Sequence, residues 1–127
     1  MLFRSRGAMN ACANSAERVA QRVEAEYGSL VNYVLVDASG GEGIPLSPID
    51  ASAYLVELDM AKAEPRHTYE LVVAGGLCAE NITRLLIPIR LLVHRFGFDA
   101  EGALRTDDLL NERKVAAYLQ AAYEMSL

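Results

Sequence analysis

A chain of 127 residues holds at most one ordinary domain, and with 52% hydrophobic residues it can bury a real core. No apolar run approaches the ~18 residues a membrane helix needs, so no membrane partner is expected. A net charge of −5 and an isoelectric point near 5.0 argue against a nucleic-acid surface.

The start, "MLFRSRG", matches neither a signal peptide nor a periodic element, so residues 1–5 are set aside as a non-native leader outside the fold. "NSAERVAQRVEAEYG" reads as a helix. Asn14 caps it, Glu17 follows three residues later as in a capping box, and Gly28 ends it. Ala16, Val19, Ala20, Val23 and Tyr27 give that helix one apolar face.

Residues 33–36 are a short continuous apolar run, the mark of a strand buried on both faces. The run ends at Asp37 and opens into a loop with Gly40, Gly41 and Gly43. Ser47-Pro48 starts the next helix as cap and first position, with Ala51, Tyr54, Leu55, Leu58 and Ala61 turned inward and a stop before Pro65. A second strand spans 69–74 and meets the pair Gly75-Gly76, and a helix begins at about Ala79. Pro88 kinks or ends that helix. Arg84, Arg90, His94 and Arg95 form a solvated face on this segment. A third strand covers 96–100 and runs into a polar loop. Asn111 caps the last helix, whose stripe is Val115, Tyr118, Leu119 and Ala122.

Repeated strand–loop–helix units mean a parallel sheet with helices packed outside it. The three strands should therefore be neighbours, with their ends at Asp37, Gly75 and Asp99 on one rim. Ligands bind at that end of such sheets. Two readings of Gly75-Gly76 stay open: a backbone cradle for an anion near a helix N-terminus, or tight packing without a ligand. Cys12 and Cys78 form no CxxC, and neither His67 nor His94 completes a metal-ligand spacing. Reduced buried thiols in a cytoplasmic protein are expected, with no metal and no cofactor. The sequon Asn81-Ile82-Thr83 opens a helix, so glycosylation is not expected.

Three segments together resemble the C-terminal part of phosphoribosylanthranilate isomerases, which are (β/α)8 TIM barrels of tryptophan biosynthesis. "VLVDASGGEG" is similar to the family's strand ending in Asp and a glycine loop, "AGGLCAENI" matches its GGL-x-ENV motif closely, and "DAEGALR" its last strand loosely. The resemblance runs from Asn32 to the C-terminus. It implies that Asp37 is the general acid of an Amadori-type aldose–ketose rearrangement. It also implies that Gly75, Gly76, Leu77, Glu101 and Gly102 bind the substrate phosphate through backbone N–H groups, with Gly40, Gly41 and Gly43 in a substrate loop. A carboxyl at a buried strand end can have its pKa raised toward neutrality, as a proton donor requires. The plainer role is an Asp that caps its loop through backbone N–H groups.

The departures from the family are specific. Ala100-Glu101-Gly102 stands where the family has Ser-Ser-Gly, which sets a carboxylate beside the phosphate. The Lys-Asp start to the last helix is missing. The family's basic Cys ends the barrel's first strand, which this chain does not reach, and Cys12 is in the wrong place to replace it. A closed barrel takes about 250 residues, so a fragment holding about the last three βα units is expected. Its open sheet edges would allow oligomers. An open flavodoxin-like sheet is the structural alternative. The functional expectation is an isomerase of a phosphorylated sugar derivative, inactive as this fragment alone. The alternatives are a phosphosugar-binding or degenerate barrel without catalysis, and another phosphate-binding barrel enzyme such as an epimerase or lyase.

Overall fold

The computed structural model describes residues 2–4, 6–37, 44–62 and 68–126, with side chains from residue 7 onward. Its centre is a sheet of four strands: β1 (Leu2–Arg4), β2 (Tyr33–Val36), β3 (Glu70–Ala74) and β4 (Gly97–Asp99). Their spatial order is their chain order, and every neighbouring pair is parallel. The register sets Val36 beside Val73 and Ala74 beside Asp99, so the strands after Asn32 are adjacent and share one C-terminal rim, as expected.

The helices are α1 (Arg6–Ala11), α2 (Ala16–Arg22), α3 (Pro48–Lys62), α4 (Ile82–Arg90) and α5 (Glu112–Ser126). Each packs on the next in chain order. Alternation along the strands explains where they sit. Val34, Val36, Leu71 and Val73 join one core with Val19, Leu55, Leu58, Ile82 and Leu86. Their alternates (Tyr33, Leu35, Glu70, Val72, Ala74 and Asp99) project to the opposite face and stay outside that core, with Leu35 and Ala74 buried there as well. The result is a mixed α/β layer with the helices packed on one sheet face and, among the described residues, no closure into a barrel. Burying the core drives this arrangement, at roughly 1.5–3 kcal/mol per fully buried large aliphatic side chain.

Local chemistry sets the helix boundaries. Ser47 Oγ accepts from the Asp50 N–H at 3.3 Å, and Asn111 Oδ1 accepts from the Lys114 N–H at 3.1 Å, so both expected caps form. The first expected helix begins differently. Asn14 takes a left-handed φ of 57°, and Ser15 becomes the cap, its Oγ accepting from the Arg18 N–H at 3.4 Å. Beyond Arg22 the helix widens into a π turn, Val23–Tyr27, before Gly28. That turn carries Glu24, whose carboxylate accepts from the fully buried Tyr69 hydroxyl at 2.8 Å. Burial, with Glu24 beside it, pushes the Tyr69 hydroxyl far above the ordinary tyrosine range.

Four expectations change. The segment set aside as a leader contains β1, which pairs along β2 from Leu2↔Tyr33 to Arg4↔Leu35; three residues are too few to show periodicity. The helix expected from Ala79 starts at Ile82, because 79–81 form a turn first, and it continues through Pro88 to Arg90. Leu119, assigned to the inward stripe of α5, is 60% exposed, whereas Tyr118 is buried. Within the loop after β4, Arg105–Thr106 (β5) and Leu109–Leu110 (β6) pair antiparallel as a hairpin. Asp107 and Asp108 both take positive φ at its tip, the backbone that a tight two-residue hairpin favours. Pro65 and His67 lie outside the described residues.

Candidate functional site at the strand ends

The segment after β3 answers the glycine question differently for each glycine. Gly75 is buried with φ +138°, and a Cβ there would stand 3.0 Å from Leu46 Cβ and 3.3 Å from Leu46 N. The Leu46 N–H donates to the Gly75 carbonyl at 3.0 Å. The irregular segment leading to α3 therefore passes against Gly75, and the space a side chain would take is filled by protein. The Cβ side of Gly75 is thus packed against Leu46. Gly76 takes φ +56° and is less buried. Its carbonyl accepts from Asn81 Nδ2 at 2.9 Å, while Asn81 Oδ1 accepts from the Cys78 N–H at 2.9 Å. Asn81, noticed in the sequence only as a sequon, is the staple that shapes this loop. Leu77 is a core residue, 1% exposed.

Next to this turn lies a cleft of about 240 Å³. Cys78, Ala79 and Glu80 form one side, Ala103 and Leu104 from the 3₁₀ turn after β4 form a second, and Arg113, Lys114 and Ala117 of α5 form the third. The hairpin positions the third side. Lys114 Nζ donates to the Arg105 carbonyl at 2.8 Å, and Asn111 Nδ2 donates to Thr106 Oγ1 at 3.1 Å. Among the described residues, Arg113 makes no ion pair or side-chain hydrogen bond. The Glu80 carboxyl is held below its usual range, chiefly by the neighbouring Cys78 thiol, then by its own backbone N–H and least by Lys114.

In the loop after β4, Glu101 and Gly102 stand apart from the cleft lining. Glu101 is exposed, and its carboxylate lies 3.5 Å from Arg105 Nη2, outside the cleft lining. Gly102 is exposed too, and a Cβ added there meets nothing within 4 Å. Ala103 and Leu104, not Glu101 and Gly102, are the residues of this loop that face the cleft. Tyr118 lies buried near these strand ends, its ring edge-on to Phe98 at 6.2 Å between centroids. Its hydroxyl has no hydrogen-bond partner and is pushed up to about 12, chiefly by burial and then by Asp99 and Cys78.

Asp37 ends β2 half-buried, and the register puts it level with Ala74 and Asp99. It shares the rim with the cleft but does not line it. Gly40, Gly41 and Gly43 lie outside the described residues. Both cysteines are free thiols; Cys12 is buried in the core, and Cys78 is half-buried. Among the described residues, no cluster of three or more acidic, histidine or cysteine side chains could hold a metal. No helix among them is long and apolar enough to cross a membrane. No family model, curated protein or solved structure matches the chain.

Proposed function

We propose that the chain is part of a phosphate-binding (β/α)8 barrel of the phosphoribosylanthranilate isomerase type, acting on a phosphorylated sugar derivative. The observation that carries this reading is the meeting of the loops after β3 and β4 at one cleft, with two cationic side chains on its third side. The strand order supports it. Four parallel strands in chain order with consecutive helices against one face are what part of a closed barrel would contain. A doubly wound sheet instead reverses its strand order and carries helices on both faces.

In this reading the sugar lies over the rim, and its phosphate enters the cleft. Gly76, Ala103 and the start of α5 supply backbone donors or helix-end polarity, and Arg113 and Lys114 supply charge. Gly75 backs the cradle as a packing residue. Asp37 is the general acid that protonates the sugar ring oxygen as the ring opens. The family's basic Cys has no equivalent among the described strand ends, because Cys12 is in the core and Cys78 lies in the loop after β3. This chain is therefore expected to bind phosphosugar without turning it over.

Calorimetric titration with ribose 5-phosphate, with ribose as the control, tests this. Binding of the phosphorylated sugar alone is the expected result, retained in Asp37→Asn. Absence of binding at millimolar ribose 5-phosphate, or equal binding of ribose, would refute the proposal.

A further inference from the structure

We infer that Arg113, on the first turn of α5, selects the ligand of the cleft by clamping two terminal oxygens of a phosphate monoester, so that a side-chain fork sets charge specificity. The inference rests on the phosphate reading above and deepens it.

Part of the backbone-donor supply in the loop after β3 is already committed. The Cys78 N–H is spent on Asn81 Oδ1, Gly75 is buried against Leu46, and the Asn81 and Ile82 N–H groups both turn back to the Cys78 carbonyl at 3.2 and 3.0 Å. On the other side, Lys114 is tied by its Nζ to the Arg105 carbonyl. It contributes charge to the cleft from a fixed position, with one of its three donors already used. Glu80 is the carboxylate in the lining. Arg113 is the lining cation with no partner among the described residues. A guanidinium left so has its whole planar fork available, and that fork matches two oxygens of one phosphate, which an ammonium cannot do. Two cations facing one carboxylate leave the lining net positive. A terminal monoester, with its three free oxygens and greater charge, gains more there than a diester or a neutral sugar.

The same cleft offers a readout independent of activity. Cys78 lines it half-buried, whereas Cys12 is buried in the core, so alkylation by iodoacetamide should label Cys78 and leave Cys12 as an internal control. Bound ribose 5-phosphate should slow that labelling. Arg113 is exposed and outside the core, so Arg113→Ala should fold. The variant is expected to bind ribose 5-phosphate about tenfold to a hundredfold more weakly, the range of a charge-assisted hydrogen bond. Protection of Cys78 should be lost in parallel. Arg113→Lys should recover part of the affinity. Three outcomes separate the ideas. If the parent binds ribose 5-phosphate and Arg113→Ala matches it in affinity and in Cys78 protection, the role of Arg113 is overturned and the phosphate reading stands. If Arg113→Lys equals the parent, charge suffices and the fork is refuted. If the parent binds no ribose 5-phosphate, the phosphate reading falls and Arg113 with it.

Discussion

Gly75→Ala should destabilise the protein severely, and the structure sets the size. At φ +138° an alanine is strained, costing about 1–3 kcal/mol. Its Cβ would also stand 3.0 Å from Leu46 Cβ and 3.4 Å from the Ile44 carbonyl. Overpacking against a backbone crossing typically adds another ~1–3 kcal/mol. The Leu46 N–H bond to the Gly75 carbonyl resists the shift that would relieve it. Together these amount to about 2–6 kcal/mol, a large part of the ~5–15 kcal/mol that holds an ordinary domain folded. Urea denaturation followed by circular dichroism is the assay. With a slope of about 1–3 kcal/mol per molar urea, the midpoint should fall by roughly 0.7 M or more. Gly102→Ala is the matched control, because its added Cβ meets nothing within 4 Å and should leave the midpoint unchanged. A Gly75→Ala midpoint within ~0.2 M of the parent, well under the expected drop, would show that the crossing over Gly75 is misjudged.

Three further outcomes are expected. Asn81→Ala removes both bonds of the loop staple and should cost about 1–3 kcal/mol, with Asn81→Asp intermediate because it keeps only the acceptor; equal midpoints for all three proteins would dismiss the staple. The unfolded chain releases the Tyr118 proton near pH 10, while the folded protein holds it to about 12, so the stability this group contributes is complete below pH ~10 and declines as pH rises toward 12. Tyr118→Phe should flatten that alkaline decline and be neutral or stabilising at pH 7, because the lost hydroxyl has no partner; a clear loss of stability there would reveal one. The outer edges of β1 and β4, with exposed Leu119 and Tyr123 on α5, should drive concentration-dependent association in sedimentation, against which a strictly monomeric sample with a sharp cooperative melt would count.

Much of this architecture is written locally along the chain. The apolar run of β2, the Ser47-Pro48 and Asn111 caps, and the inward stripe of α3 depend on a residue and its near neighbours, so spacing alone reveals them. Strand–loop–helix alternation then implies parallel pairing, because a crossover helix returns the chain in the same direction. The remaining features depend on residues distant in sequence, and no local pattern encodes them. β1 is three residues long and becomes a strand only because β2 lies beside it. Ser15 displaces Asn14 as a cap once the preceding turn takes left-handed backbone. That Leu46 packs against Gly75 is seen only once the two segments are brought together. Glu101 lies beside Arg105 rather than in the cleft lining, and Arg113 reaches that lining only because α5 docks beside Cys78. The sequence by itself determined the kinds of element, their order and much of the core, since these follow from short-range propensity and periodicity. Only the tertiary structure decided which groups meet at the rim, because side-chain access and charge there depend on how separate segments pack.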